Sequence, residues 1–319
     1  MSDYEYSKKS IEPNSTILVT GATGFIGENL CRRLLSQNVI VFALIRDAKN
    51  LAADLKTNQN LIPIIIQSNW YDKISKIEFD TVYHLASWSG LKHCSEDVDH
   101  IIDANIRLGV RLLELSAKQK IKKPHWVYCL SYWQYALGKQ TYEPNSLYAA
   151  SKQAFHALVR HYAYNEGIKS AGVVIYDTYS VYDNRPKMLN MIARNVSMYC
   201  HSGNNTLLEL TPGEQEIFFC HVDDAVAALI RTAAEVQTAN QPKSVYFARE
   251  PIVGILKEII NDLLQPFCDP TKIVQWGAIP YPKGQVMKIV SGPEIPGWHT
   301  KQNLNKTFAE MISQYSMEK

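Results

Sequence analysis

The sequence predicts an α/β protein: a doubly wound parallel sheet of the Rossmann type, with a smaller C-terminal α/β lobe. Two observations carry this. Short β-branched runs alternate with longer amphipathic stretches over the first half of the chain, and a glycine-rich turn follows the first run directly. The runs are Thr16 to Thr20, Val39 to Leu44, Leu61 to Ile66, Thr81 to Leu85, Trp126 to Leu130 and Gly172 to Ile175. Between the fourth and fifth, Ile102, Ile106, Val110, Leu113 and Ala117 recur at helical spacing and predict one apolar helix face. Strands joined this way place a ligand site at their carboxyl ends. Beyond about residue 180, prolines from Pro186 to Pro296 break the alternation, as expected of a loop-rich lobe. The expected organisation is a polar tail over 1–15, a dinucleotide-binding domain over 16–180 and a substrate lobe over 181–319, with some of its segments returning to the core sheet.

Composition narrows the function classes. Among 319 residues, 33 Lys plus Arg face 31 Asp plus Glu, a net charge of +2, which lacks the basic excess of a nucleic-acid binder. The six cysteines form no CxxC pair, so neither a metal site nor a disulfide framework is expected, and a reducing compartment is. The first fifteen residues are polar, unlike a signal peptide, and no apolar stretch reaches the roughly 20 residues that span a bilayer. A soluble, cytoplasmic protein without a membrane partner is expected.

Gly21-Ala22-Thr23-Gly24-Phe25-Ile26-Gly27 stands between the first strand and a helix. Its glycines permit a tight turn, a close approach to a pyrophosphate and tight helix packing, with the phosphates at the helix N-terminus. The second strand ends Leu44-Ile45-Arg46-Asp47, where an NAD-binding chain usually meets the ribose with an acid. Arg46, with Lys49 nearby, suits a 2′-phosphate and favours NADPH; Asp47 on the ribose, and hence NAD(H), is the alternative.

Tyr and Lys four positions apart share a helix face, so an ammonium can stabilise a phenolate and tune it for proton transfer. The spacing occurs four times, at Tyr4/Lys8, Tyr135/Lys139, Tyr148/Lys152 and Tyr315/Lys319. The first and last lie in terminal tails, and the second runs through Gly138 in a loop. Tyr148/Lys152 alone opens a clear helix, with Ser131 supplying a hydroxyl just past the fifth strand.

With TGATGFIG at 20–27, YHLAS at 83–87, Asn105, Ser131, YAASK at 148–152 and HVDDAVAA at 221–228, the chain resembles the extended short-chain dehydrogenase/reductases. That family comprises sugar-nucleotide epimerases, dehydratases and ketoreductases. SYWQY at 131–135, LYAASKQAF at 147–155 and YDTY followed by RPK within 176–187 are most similar to CDP-abequose and CDP-paratose synthases. The resemblance implies an NADPH-dependent 4-ketoreductase of a nucleotide-linked 4-keto-6-deoxy or 4-keto-3,6-dideoxy hexose, in deoxysugar and O-antigen-type biosynthesis. It implies catalysis by Tyr148, Lys152 and Ser131. It implies cofactor contacts from Gly21, Thr23, Gly24, Phe25, Ile26, Gly27, Arg46, Asn69, Leu85, Ala86, Ser87 and Asn105, besides Tyr148 and Lys152. A homodimer through the helices around Asn105 to Ala117 and Tyr148 to Tyr164 is implied as well.

The family's 4,6-dehydratases carry an Asp-Glu pair directly after the hydroxyl residue; Tyr132 and Trp133 stand there and cannot do that acid/base work. Epimerases with tightly held NAD usually show an acid at the place of Arg46, which leaves epimerisation the weaker reading. A non-catalytic dinucleotide-binding regulator is a further alternative, against which the intact trio argues. Asn69 replaces an Asp that in relatives contacts adenine. Asp177 faces substrate if DTY is the alignment anchor, and replaces an arginine if Val181-Tyr182 is. Ile217 and Pro282 stand where relatives place diphosphate-binding arginines, leaving Arg185, Lys187 or Lys283 to hold the substrate diphosphate. Trp88 and Trp133, with Tyr179, are candidates to line the sugar and base pocket or to fill the core. His84 reads as a satisfied structural histidine, His93 and Cys94 form no metal set, and Asp223 and Asp224 read as helix caps.

Overall fold

The computed structural model describes residues 11–89, 93–203, 206–251 and 253–317. Tyr4, Lys8 and Lys319 lie outside the described residues, as does most of the polar tail. Strands β1 (Thr16–Thr20), β2 (Ile40–Ile45), β3 (Leu61–Ile65), β4 (Thr81–His84), β5 (His125–Ser131) and β6 (Ser170–Ile175) match the six predicted runs to within two residues at either end. Asp177–Tyr179 (β7) and Phe219–His221 (β8) pair with each other beyond the sheet, and Val245–Phe247 (β9) joins the sheet beside β6. The seven-stranded order is β9-β6-β5-β4-β1-β2-β3, and every pairing is parallel. The order reverses between β1 and β4, where a doubly wound sheet opens a crevice at the strands' carboxyl ends.

Strand residues alternate between the two faces. Ile17 and Val19 of β1, with Val41, Ala43, Val127 and Val173, face a layer formed by helices α1 (Phe25–Leu35) and, from the C-terminal half, Val222–Thr238. Leu18, Val82, Trp126, Tyr128 and Val174 face Leu112 and Leu113 of α2 (Leu108–Ala117) and Phe155, Val159 and Tyr162 of α3 (Leu147–Asn165). A third core lies in the C-terminal half, where α4 (Met188–Ser202) meets α7 (Leu304–Met317), with α5 as Val222–Thr238 and α6 as Leu256–Leu264 in between along the chain.

Two expectations need correction. The face that α2 and the turn before it bury is Ile101, Asn105, Gly109, Leu112 and Ser116, one residue ahead of the predicted stripe, of which only Leu113 is buried. The cause is close packing: a Cβ on Gly109 would lie 2.3 Å from the Phe155 ring. Small and polar residues therefore turn inward, and the apolar stripe stays half exposed. The second correction concerns α5. Its cap is His221, whose ring accepts the Asp223 N–H. Asp224 is buried and instead accepts the backbone N–H groups of Lys301 and Gln302, at 3.0 and 3.1 Å.

Candidate active site

A cleft of about 500 Å³ opens at the carboxyl ends of β1, β4, β5 and β6. One end is the glycine-rich turn. Gly21 takes φ +73, and a side chain there would strike the Ala86 backbone at 2.7 Å; a Cβ on Gly27 would fall 2.0 Å from the Gly21 carbonyl oxygen. Glycine at both places lets α1 start hard against β1 and β4. The α1 N-cap is Gly24, with no side-chain cap, so the first-turn N–H groups at Phe25, Ile26 and Gly27 face the cleft for an anion to bind. These features fit a dinucleotide pyrophosphate.

Thr20 fixes the neighbouring loop. Its hydroxyl accepts the N–H groups of Leu85 and Ala86, at 3.1 and 3.0 Å, and meets His84 Nδ1 at 2.9 Å. With both acceptor positions used, the Thr20 O–H donates to Nδ1, which puts the His84 proton on Nε2, an atom buried without a partner. The expectation of a satisfied histidine holds for one ring nitrogen only. Burial and the Lys152 charge push His84 down to about 3, so it is neutral and has no ready proton-transfer role. Asn105, in a π-helical turn (Asp103–Arg107), accepts from Trp88 N at 2.6 Å and donates to Trp88 O and to Ser151 Oγ, at 3.1 and 2.8 Å. Its amide thus ties the loop after β4 to α3.

Ser131 ends β5, and Tyr148 and Lys152 lie on the first turns of α3, whose cap Ser146 accepts the Ala149 N–H. All three line the cleft with Cys129, Tyr132 and Trp133. Gln134, three residues after Ser131, accepts the Ser131 N–H at 2.9 Å and donates to Gln153 on α3 at 2.8 Å, locking the hydroxyl residue to the helix that carries the phenol. Sequence reasoning missed this residue, though Ser-x-x-Gln is a recognisable capping box. Lys152 Nζ lies 5.8 Å from the Tyr148 ring centre. It does not depress the Tyr148 pKa as expected: burial pushes the phenol up to about 12, and only hydrogen bonds from Ser131 and Ser87 pull it down. Burial lowers the Lys152 pKa. A phenol held protonated at neutral pH is a proton donor.

The far wall comes from β7 and the start of α4. Tyr132 stacks on Tyr176 at 5.3 Å and donates to the Asp177 carboxylate at 2.7 Å. Arg185 is held by the buried Asp183 through Nε and Nη2, each at 2.7 Å, and lies over the Phe25 ring at 3.8 Å. Trp133 packs edge-on against Tyr148 at 6.0 Å, and Tyr179 and Ile217 line the same wall. The cleft therefore gathers Gly21, Gly24, Phe25, Ile26, Gly27, Leu85, Ser87, Ser131, Trp133, Tyr148, Lys152, Asp177, Arg185 and Lys187. Thr23, Ala86 and Trp88, all half-buried, and the buried Asn105 are not among its lining residues; Arg46, Asn69 and Lys283 are exposed outside it. A second pocket of about 220 Å³, near Asp80 and Lys122 at the strands' amino ends, holds none of the trio. Among the described residues no set of acids, histidines and cysteines is placed to hold a metal ion, and no helix is long and apolar enough to cross a membrane.

A doubly wound sheet with a pyrophosphate turn and a Ser-Tyr-Lys trio in one cleft defines a dinucleotide-dependent enzyme. The chain belongs to the NAD dependent epimerase/dehydratase family, whose model matches residues 17–247. It is 22% identical over 309 residues to the CDP-abequose synthase of Salmonella typhimurium, covering 93% of this chain and 97% of that one. It is 24% identical over 317 residues to UDP-glucuronate 4-epimerase 4 of Arabidopsis thaliana, covering 91% and 69%. Among solved structures, UDP-glucuronic acid 4-epimerase from Bacillus cereus, in complex with UDP-glucuronic acid and NAD, superposes with a TM-score of 0.73 at 19% identity, covering 95% and 100%. The dTDP-glucose 4,6-dehydratase DesIV of Streptomyces venezuelae, with NAD bound, gives 0.74 at 18%, covering 94% and 96%.

Proposed function

We propose that this enzyme is an NADPH-dependent 4-ketoreductase of a nucleotide-diphosphate-linked 4-keto-deoxyhexose. The observation that carries the reading is Ser131 followed by Tyr132 and Trp133 in the same cleft as Tyr148. A dehydratase needs an acid and a base there, whereas here Tyr132 is spent on Tyr176 and Asp177, and Trp133 on Tyr148. End-to-end similarity to a CDP-abequose synthase supports it. The bound dinucleotide supplies the hydride. Tyr148 donates its proton to the emerging C4 alkoxide, Ser131 hydrogen-bonds that oxygen, and Lys152 holds the nicotinamide ribose. Lys187, at the mouth of the cleft, is the cation for the substrate diphosphate.

Arg46 supports NADPH: it is exposed at the end of β2, while the Asp47 carboxylate is turned onto the Lys49 N–H at 2.8 Å. Arg46→Ala should weaken NADPH binding about tenfold and leave NADH nearly unchanged. The half-exposed stripe of Ile102, Ile106 and Val110 supports a homodimer through α2 and α3, which light scattering would test. The test of the activity itself is a panel of CDP-, dTDP- and GDP-linked 4-keto sugars scored for NADPH oxidation, with NMR of the product. No oxidation across the panel refutes ketoreduction. The second reading, an epimerase with resident NAD, is favoured by similarity to the glucuronate epimerases. Stoichiometric dinucleotide retained through purification would support it over the first.

A further inference from the structure

The charges of the cleft bear on which hexose it accepts. Among the described lining residues Asp177 is the one carboxylate. It is fixed in place: β7 pairs Asp177 with Phe219, and the Tyr132 hydroxyl donates to Oδ2, with Tyr132 itself stacked on Tyr176. Oδ1 carries no hydrogen bond among the described residues. Tyr132 is a neutral donor, so its bond orients the carboxylate without cancelling its charge. The Lys187 and Arg185 charges favour its ionised form, but the guanidinium is itself paired with another acid. Arg185 gives Nε and Nη2 to Asp183, whose side chain is fully buried, and Nη2 also to the Thr178 carbonyl at 2.9 Å. That leaves Lys187, which is exposed, and Lys152, beside Tyr148, as the other cations of the lining.

Resting on the sugar-nucleotide reading above, we propose that Asp177 is a specificity-determining residue: its carboxylate accepts a hydroxyl of a neutral hexose and excludes hexuronates. A hydroxyl brings a donor to the open Oδ1. A sugar carboxylate brings a second negative charge to a half-buried carboxylate whose nearest guanidinium is already paired with Asp183, and discrimination by such like-charge contact is a strong means of selectivity.

The test is calorimetric titration of matched pairs, nucleotide-linked glucose against the same nucleotide linked to glucuronate, for UDP, dTDP and CDP. Wild type, Asp177→Asn and Tyr132→Phe are compared, each checked for folding by thermal unfolding. For the nucleotide that binds, the glucose form should bind at least about tenfold more tightly than the glucuronate form. Asp177→Asn should close that gap to within about threefold, mainly by gaining glucuronate affinity, whereas Tyr132→Phe, which keeps the carboxylate, should preserve it. Equal binding of the two forms by wild type, or a gap that Asp177→Asn leaves unchanged, overturns the proposal. Binding of a glucuronate form alone likewise overturns the proposal, whereas failure of every nucleotide sugar of either kind to bind overturns the sugar-nucleotide reading, and the proposal falls with it.

Discussion

Lys152 stands with its Nζ 5.8 Å from the centre of the Tyr148 ring, one turn further along α3 and buried in the same wall of the cleft. The pair is held from three sides: by the Ser146 cap, by Asn105 through Ser151, and by the Gln134–Gln153 bond that carries Ser131. Tyr148→Phe removes the proton donor and leaves this scaffold untouched. It should lower kcat by about 10²- to 10⁴-fold while dinucleotide affinity, read by fluorescence titration, stays within about threefold of wild type. Near-normal turnover would remove Tyr148 from the chemistry.

The glycine turn gives a contrast between two positions. Alanine at Gly27 would place Cβ 2.0 Å from the Gly21 carbonyl oxygen, and backbone cannot yield as a flexible side chain can. At Gly24 the nearest atom is the same oxygen at 3.3 Å, and the residue is exposed. Gly27→Ala should therefore cost about 1 to 3 kcal/mol or more of stability, seen as a lower Tm, and abolish dinucleotide binding. Gly24→Ala should keep Tm nearly unchanged and weaken dinucleotide binding alone.

His84 makes stability depend on pH. Its pKa is about 3 in the folded protein against an ordinary 6.5. Between those values the unfolded chain binds a proton that the native state refuses, so stability falls as pH drops through this window. At pH 5 the deficit amounts to about 2 kcal/mol relative to pH 7. His84→Asn, which can still accept from Thr20, should lose a smaller part of its Tm than wild type between pH 7 and pH 5. Parallel slopes for the two proteins would refute this.

The sheet was legible because its strands are β-branched runs of the length a buried parallel strand needs, and the turn because its glycines follow the first strand. Tyr148/Lys152 could be picked from four equal spacings by context alone, since only that pair opens a helix on the far side of Ser131. What could not be read depended on contacts distant in sequence. The inward face of α2 is set by the Phe155 ring against Gly109, so apolar periodicity pointed one residue too far. The commitment of Arg185 to Asp183 is local, but that Asp183 is buried, and so binds it firmly, is a property of the folded lobe. The pKa of Tyr148 follows from burial, which no spacing reveals.

Asp224 shows the same limit and yields the last prediction. By sequence it looks like a helix cap, yet it is 1% exposed and its carboxylate holds the N–H groups of Lys301 and Gln302, while the Trp298 indole donates to its carbonyl at 2.9 Å. These bonds fasten the segment leading into α7 against α5, and α7 in turn covers α4, whose first residues line the cleft. Asp224→Ala removes the carboxylate that accepts these two backbone N–H groups, at about 1 to 3 kcal/mol each, so a total loss of about 2 to 6 kcal/mol is expected. Asp224→Asn keeps one acceptor oxygen and should lose about half as much. Because the contact lies away from Tyr148, kcat at a temperature where both variants are folded should stay near wild type. Limited proteolysis should cut the variants faster within 298–317 than elsewhere; unchanged Tm and unchanged cleavage would mean that the carboxylate does not anchor this segment.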